Sequence, residues 1–126
     1  MDSKEIIKYQ KYTAAKLKLK AQSVFNTYIR KRDEGLGCIS CGSHNQIQAG
    51  HFYSAGKHNN LRFHIHNVNS QCKKCNYFGH GELLKYRENL IVKIGLEAVE
   101  NLDMLSKQRI TKNDRFYFIS IIEEYK

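Results

Sequence analysis

Two Cys-x-x-Cys pairs, separated by thirty residues, constrain this chain more than any other feature. The pairs are Cys38/Cys41 and Cys72/Cys75. They suit a single tetrahedral Zn²⁺, because each short loop presents two thiolates to one ion at about 2.3 Å. Gly42, directly after the first pair, is free to adopt the positive φ of a tight turn. We therefore expect a structural zinc site, formed by all four cysteines, that ties together the two ends of the intervening segment.

Disulfide formation and redox chemistry are the other interpretations of these cysteines. A thioredoxin-like motif occurs once, at the start of a helix after a strand, whereas here the motif occurs twice. Nothing near Met1 resembles a signal peptide, and no segment is long enough to span a bilayer. We therefore expect a cytoplasmic protein with no membrane partner. In such a reducing compartment, close cysteine pairs bind metal more often than they form disulfides.

Positive charge is concentrated towards the N-terminus. The 126 residues have a formal net charge of +9, and residues 1–35 contain nine Lys or Arg against four Asp or Glu. Basic side chains that replace counterions on a phosphate backbone bind it regardless of sequence, so we expect a polyanionic partner such as double-stranded DNA. A merely solvated, soluble surface is the alternative. The side chains expected to contact DNA are Lys16, Lys20, Arg30, Lys31, Arg62, Lys73 and Lys74.

The hydrophobic pattern predicts a mostly helical α+β fold. Apolar residues recur every three or four positions between Lys4 and Arg32, which predicts one long helix or two in series. The expected buried positions of that segment are Ala14, Leu17, Ala21, Phe25 and Tyr28. Later elements are predicted as a strand over 46–51, a strand over 61–65, and helices opening at Cys72, running from about Glu82 to Gly95 and running over 96–106. Residues 116–122 have strand-like composition, but the cap-like Thr111-x-x-Asp114 favours a C-terminal helix.

The length is that of one domain. A chain of 126 residues buries a modest core, which the expected zinc ion supplements. We expect a single domain, 1–126, in three parts. These are a basic helical arm over 1–35, a zinc-bound core over 36–81 and a C-terminal helical region over 82–126.

The segment between Leu36 and Gly81 contains no Asp or Glu. It therefore cannot house a catalytic carboxylate pair or a two-metal site built on acidic ligands. Phosphodiester hydrolysis needs a base, a cation and a group that orients the base. The segment offers His51 as the base, since neutral imidazole accepts a proton near neutral pH, Asn67 to hold the imidazole, and Asn76 as an oxygen ligand for a divalent cation.

His80 is a further candidate ligand, because it lies one helical turn after Asn76 and would share its helix face. Each of these residues also has a simpler interpretation. A histidine in the position of His51 is often a turn or surface residue, Asn76 can serve as a helix cap, and His80 can be merely exposed. Their combination with the cysteine pairs is what favours a site.

The order Cys-x-x-Cys, Gly-His, Asn, Cys-x-x-Cys-Asn resembles the HNH endonucleases, also called ββα-metal or His-Me finger nucleases. Residues 21–99 are more specifically similar to the lambda NinG/Rap recombination endonucleases. The nine-residue interval from Asn67 to Asn76 matches the usual spacing in the HNH family. The similarity is carried by Phe25-Asn26-x-Tyr28-Ile29-Arg30, Cys38-Ile39-Ser40-Cys41, Ala49-Gly50-His51-Phe52, Leu61-Arg62-Phe63, Asn67-Val68, Gln71-Cys72, Cys75-Asn76, Tyr86-Arg87 and Ile94-Gly95-Leu96-Glu97.

This resemblance implies a bacteriophage recombination enzyme that cuts branched DNA, such as Holliday junctions and D-loops, in the host cytoplasm. It implies His51 as the general base, Asn67 as its orienting residue and Asn76 as a ligand of catalytic Mg²⁺ or Mn²⁺, with 5′-phosphate and 3′-hydroxyl products. Resolving a four-way junction takes two cuts, which favours a homodimer. The alternatives are a sequence-specific or non-specific HNH nuclease, and a non-catalytic zinc-containing DNA-binding module.

Three positions depart from the family pattern. Gly50 precedes the expected base, where many HNH enzymes have an Asp or His metal ligand. Gln48 stands where NinG-like sequences are expected to have an acidic residue, and His80 is a residue that the family is not expected to supply. We therefore expect the catalytic cation to be held chiefly by Asn76 and water, and to bind weakly without DNA.

Overall fold

The computed structural model describes residues 3–78, 82–108 and 113–126. Within these ranges the chain forms five α-helices, a two-stranded antiparallel sheet and two short single-turn helices. The same ranges include no helix with both the length and the apolar character needed to cross a membrane. The fold is mostly helical α+β, as predicted.

The N-terminal segment forms two helices in series, α1 (Ser3–Tyr9) and α2 (Ala14–Arg32), which confirms the prediction. The Thr13 side chain caps α2 by accepting a hydrogen bond from the Lys16 amide at 3.1 Å. This contact satisfies one of the N–H groups that a first helical turn leaves unpaired. The buried stripe of α2 consists of Leu17, Ala21, Phe25 and Ile29.

Two of the positions predicted to be buried in α2 are exposed instead. Ala14 and Tyr28 lie three residues from members of the buried stripe, at its edges, and both are exposed. Ile29 takes the buried position that was predicted for Tyr28, because the stripe follows a strict interval of four residues.

The sheet is a hairpin of β1 (Ile47–His51) and β2 (Val68–Cys72). The register sets Ile47 opposite Cys72 at one end and His51 opposite Val68 at the other. All five residues of β2 are buried. The cysteines and the candidate base therefore lie near opposite ends of the hairpin, separated by the length of one strand.

The prediction of a second strand over 61–65 is wrong. A single 3₁₀ turn, Asn59–Leu61, begins this segment, and Leu61 and Phe63 enter two different hydrophobic clusters. The Asn67 side chain donates to the Leu61 carbonyl at 3.0 Å, which closes the segment on itself. Apolar residues at alternate positions here report burial in a folded turn, and the paired strand follows at 68–72.

The chain after β2 is helical. One π-helical turn covers Lys74–Phe78, so within the described residues the helix predicted from Cys72 is limited to a single turn. Helices α3 (Leu83–Ile94) and α4 (Leu96–Ser106) meet at Gly95, whose φ of 93° ends α3. Both were predicted.

The C-terminal segment forms helix α5 (Arg115–Tyr125). Its N-cap is Asp114, whose carboxylate accepts from the Tyr117 amide at 3.0 Å. This confirms the interpretation of the segment as a helix rather than a strand. The cap satisfies a backbone N–H group of the first helical turn, which has no partner within the helix.

Two hydrophobic clusters hold the hairpin. One cluster joins α2 and α5 to Ala49 and Val68 of the sheet and to Phe63 in the connection between the strands. The other joins α3 and α4 to Phe52 and Leu61 in the connection between the strands. The hairpin therefore contacts both helical pairs, and its position depends on both.

A buried ionic cluster around Asp33 joins α2, β2 and α3. The carboxylate, 2% exposed, accepts from Arg32 Nε and Lys93 Nζ, each at 2.8 Å, and from the Ser70 amide at 3.0 Å. Burial by itself raises the pKa of Asp33, but the hydrogen bonds from Arg32, Lys93 and Ser70 outweigh it and lower the pKa to about 2. Asp33 thus stays ionised and fixes the end of α2 to the sheet.

Candidate functional site

The four cysteines converge at the end of the hairpin where Ile47 faces Cys72. Their Sγ atoms all lie within 4.8 Å of one another, and those of Cys41 and Cys72 are 3.7 Å apart. A tetrahedral site with Zn–S bonds of about 2.3 Å places its sulfurs roughly 3.8 Å apart. The cluster of Cys38, Cys41, Cys72 and Cys75 could therefore hold a metal such as zinc, as predicted.

The backbone around Cys38 favours its thiolate. The amides of Ser40 and Cys41 point at Cys38 Sγ from 3.3 and 3.4 Å. Burial raises the pKa of the Cys38 thiol, but backbone hydrogen bonds from Cys72, Cys41 and Ser40 outweigh it and lower the pKa to about 7. Gly42 makes the return turn with a φ of 82°, as predicted. The thiolate is the form of cysteine that binds a metal.

The backbone just before His51 is fixed by close packing at Gly50. A Cβ atom at Gly50 would lie 2.1 Å from Gln71 Oε1 and 2.8 Å from Gln71 Cβ, so a larger residue would displace Gln71. The buried Tyr86 hydroxyl donates to the Gly50 carbonyl at 2.6 Å and accepts from Asn69 Nδ2 at 3.2 Å. These contacts set the direction in which the strand delivers His51.

The His51 ring has one nitrogen engaged and one available. Its Nε2 lies 2.9 Å from the Arg62 carbonyl oxygen. Because a carbonyl only accepts, Nε2 carries the proton in this contact and Nδ1 keeps its lone pair. Burial lowers the pKa of His51 and outweighs the Arg62 carbonyl, which favours the protonated ring. The imidazole is therefore neutral near pH 7 and presents an acceptor nitrogen.

Asn67 was expected to hold the His51 ring, but the carbonyl of Arg62 does so. The fully buried Asn67 side chain accepts from the Tyr53 amide at 2.9 Å and donates to the Tyr53 and Leu61 carbonyls at 3.0 Å. Its effect on His51 is therefore indirect, since it fixes both ends of the loop over 53–61 that leads to Arg62.

Asn76 lies beside the first strand, where its Nδ2 donates to Gln48 Oε1 at 2.9 Å. This contact orients the amide and leaves Asn76 Oδ1 as an oxygen ligand. Asn76 and His51 line the same cavity, of about 630 Å³. The structure thus brings the predicted base and the predicted cation ligand to one cavity, whereas Asn67 is fully buried and is not among its described lining residues.

None of the residues expected to contact DNA is among the described residues that line this cavity. Arg62 is half-buried, and its guanidinium donates to Gln22 Oε1 at 3.0 Å. Lys74 lines a different cavity, of about 790 Å³, that borders the cysteine cluster. The exposed members of the set are Lys16, Lys20, Arg30 and Lys31 on α2 and Lys73 and Lys74 after β2.

His80 lies outside the described residues. Sequence reasoning missed three contributors to the site, namely the Gln48 side chain, the Tyr86 hydroxyl and the Arg62 carbonyl. A backbone carbonyl leaves no signal in a sequence. Tyr86 belongs to the residues that carry the family resemblance, and this was the available signal for a role near the site.

The fold and the cysteine cluster define a class: a mostly helical α+β protein with a candidate four-cysteine metal centre at one end of its hairpin. The family model described as "Bacteriophage Lambda NinG protein" matches residues 2–126. The chain therefore belongs to the NinG family.

Individual relatives support this membership. Protein ninG of Escherichia phage lambda is 42% identical over 85 residues, which cover 66% of this chain and 42% of that protein. Protein ninG of Escherichia phage 933W shows the same identity and coverage, and protein ninG of Salmonella phage P22 is 41% identical over 85 residues, with the same coverage. The chain thus spans less than half the length of these relatives. No solved structure matches it.

Proposed function

We propose that this chain is a structure-specific DNA endonuclease of the HNH type, which cuts branched DNA such as Holliday junctions and D-loops in phage recombination. The observation that carries the proposal is the cavity shared by His51 and Asn76 at the end of a cysteine-clamped hairpin. A neutral base and an oxygen ligand on one cavity are what hydrolysis of a phosphodiester requires. The resemblance to NinG/Rap endonucleases supports branched DNA as the substrate.

His51 acts as the general base in this proposal. Its Nδ1 takes a proton from a water molecule, the water oxygen forms a bond to phosphorus, and the P–O bond to the 3′ oxygen breaks. The leaving 3′ oxygen takes a proton from solvent water, and His51 later returns its proton to solvent. The products carry a 5′-phosphate and a 3′-hydroxyl. The Arg62 carbonyl, 2.9 Å from Nε2, stabilises the imidazolium that forms. Asn67 keeps that carbonyl in place through the loop that it fixes at both ends.

Asn76 is the residue that would hold the catalytic cation. Its Oδ1 is a neutral oxygen donor, and the absence of Asp and Glu from 37–80 leaves the remaining ligand positions to water and to substrate phosphate. Bound Mg²⁺ or Mn²⁺ would supply positive charge against the phosphoryl oxygens. Gln48 positions Asn76 by accepting a hydrogen bond from its amide. This donor set fits a cation that binds together with DNA.

The exposed lysines and arginines of α2 support binding to the DNA backbone. Phosphate contacts position a duplex without reading its bases, so such a surface favours recognition of shape over sequence.

Two cuts at a four-way junction would be made by a homodimer, with the N-terminal helices as its interface. Sedimentation of the complex would show two chains on each junction, and a single bound chain would contradict the dimer.

The test is to incubate the purified protein with an end-labelled four-way junction, with and without Mg²⁺. Wild type is expected to nick the junction only with the cation, and His51→Ala is expected to bind it without nicking. His44→Ala is the matched control, because His44 is exposed and does not line the His51 cavity. This control is expected to cut like wild type.

Two results would redirect the proposal. Junction binding by wild type without nicks, in Mg²⁺ and in Mn²⁺, would favour the non-catalytic zinc-containing module. Equal cutting of the junction and of a linear duplex of the same sequence would favour a non-specific HNH nuclease.

A further inference from the structure

The cavity that holds His51 and Asn76 contains one full charge among its described lining residues. That charge belongs to Lys57, and none of the other described lining residues is an Asp, Glu, Lys or Arg. An anionic ligand in this cavity therefore meets a single ammonium group and no carboxylate from the described chain.

The loop that carries Lys57 is anchored on both sides of that residue. The His58 amide donates to the Ser54 carbonyl at 2.9 Å, which closes a turn around Lys57. The His58 ring Nδ1 lies 3.1 Å from the Ser106 carbonyl at the end of α4, and Asn60 donates to the Leu105 carbonyl at 2.8 Å. The stem of Lys57 therefore starts from a backbone that the rest of the fold holds in place.

A second anchor lies on the other side of the turn. The Tyr53 hydroxyl donates to the Asp103 carboxylate, and Arg87 binds the same carboxylate through two hydrogen bonds of 2.9 and 2.7 Å. Helices α3 and α4 thus fix the start of the loop as well as its end. The charge of Asp103 is paired with Arg87, so it does not compete for Lys57.

Lys57 is also an available cation. It is exposed, and within the described part of the chain it makes no ion pair, whereas Arg32, Arg87 and Lys93 are each paired with a carboxylate. The phosphoryl group at which a phosphodiester is attacked gains negative charge on its oxygens. In a cavity without a charged cation ligand, an ammonium group contributes a large part of the available compensation.

We propose that Lys57 binds the phosphate at which the DNA strand is cut. It does so through an ion pair with a non-bridging phosphate oxygen in the cavity of His51 and Asn76. This rests on the proposed function for the role in cleavage, and on the cavity alone for binding of a phosphodiester. The ligand class is a phosphodiester of a DNA strand. Lys57 is distinct from the lysines of α2, which lie outside the cavity.

The first experiment measures phosphodiester binding without cleavage. The thymidine dinucleotide dTpdT is titrated into ¹⁵N-labelled, zinc-loaded protein, and the amide signals of Ser54 and His58 are followed. We expect saturable shifts in wild type, about tenfold weaker binding for Lys57→Ala, and wild-type binding for Lys57→Arg. Lys85→Ala is the matched control, because Lys85 is equally exposed and lines a different cavity.

The second experiment measures single-turnover cleavage of a four-way junction by the same four proteins. Lys57→Ala is expected to lower the rate by about 10²–10³-fold, with Lys57→Arg recovering most of it and Lys85→Ala unchanged. Dinucleotide affinity that is the same in wild type and Lys57→Ala would overturn the assignment, even if wild type cuts junctions. Lys57-dependent dinucleotide binding in a wild type that cuts nothing would support the phosphate site and defeat the endonuclease instead.

Discussion

At the scale of single residues, the protonation state of His51 is set chiefly by two opposing effects. Burial disfavours the imidazolium, and the Arg62 carbonyl at 2.9 Å from Nε2 partly offsets that effect. The same carbonyl decides the tautomer, because only a protonated Nε2 can donate to it. In the proposed reaction the ring therefore starts neutral, with Nδ1 as the acceptor.

We expect the pH dependence of cleavage to reflect the lowered pKa of His51. In the proposed mechanism neutral His51 is the active form, so a pKa below the ordinary value of about 6.5 should extend cleavage to mildly acidic pH. The rate should fall to half of its plateau value at a pH below about 6.5. Single-turnover rates between about pH 5 and pH 8, at saturating Mg²⁺, measure this. A rate already halved at pH 6.5 or above would contradict the lowered pKa.

The affinity of the proposed cation site should increase when a negative charge is placed at Gln48. Gln48→Asp replaces a neutral oxygen beside Asn76 with a carboxylate, the ligand that Mg²⁺ and Mn²⁺ prefer. We expect Mn²⁺ to bind at least about tenfold more tightly without DNA, a gain of about 1.4 kcal/mol, as measured by titration calorimetry. Gln108→Asp adds the same charge at an exposed position after α4 and should leave Mn²⁺ affinity unchanged. Equal affinities in all three proteins would argue against a cation at Asn76.

At the scale of elements, the helices were predictable and the second strand was not. The apolar residues of the helices recur at helical intervals in the sequence. Gly95 was predicted to end α3 and does so, and the structure adds Thr13 and Asp114 as N-caps of α2 and α5. Strand β2 lacks an alternating pattern because its Asn69, Ser70 and Gln71 are buried polar residues. A sequence shows such residues as loop-like, since their hydrogen-bond partners lie on other elements.

The candidate site was predictable to a similar degree. The cysteine spacing indicated a metal cluster because metal-ligand geometry is local to each Cys-x-x-Cys loop. The contact of His51 with the Arg62 carbonyl depends on how a turn folds, and the pairing of Asn76 with Gln48 joins residues 28 apart. Neither contact has a signature in the residue types alone.

The junction of α2, β2 and α3 should depend on the Asp33 carboxylate. Asp33→Asn leaves Arg32 and Lys93 partly buried without their counter-charge, so we expect a loss of about 3–5 kcal/mol in the free energy of unfolding. Denaturant titration measures it. Glu34→Gln removes a charge from the exposed neighbour and should change stability by no more than about 0.5 kcal/mol. A similar small effect for both variants would contradict the role of Asp33.

The same carboxylate predicts a pH dependence of stability. Its folded pKa of about 2 lies below the unfolded value of about 3.9. The stabilisation is therefore complete above about pH 4 and is lost as the pH falls to about 2. Asp33→Asn should flatten the acid side of the wild-type stability curve.

At the scale of the whole molecule, the hairpin connects the cysteine cluster to His51 and to the helices that pack around it. Its cysteine end joins the loop over 38–41 to the turn after β2, and its other end presents His51 between two hydrophobic clusters. The helices supply most of the core, while the cysteine cluster supplies the link that closes the hairpin. Stability and geometry of the site therefore depend on both.

Removing the metal should weaken the whole fold. We expect purified protein to contain one zinc per chain by atomic absorption, because the four sulfurs form a single cluster. Chelation is expected to lower the Tm by more than about 10 °C, and added Zn²⁺ should restore it. A metal-free preparation with an unchanged Tm would contradict a structural metal at the cysteines.

In the proposed mechanism His51 removes the proton from the attacking water. The single-turnover cleavage rate of His51→Ala on a saturating amount of four-way junction, compared with wild type, tests this role. We expect a loss of about 10²–10⁴-fold in rate, with junction affinity within about twofold of wild type and zinc content unchanged. Cleavage by His51→Ala at the wild-type rate would contradict it.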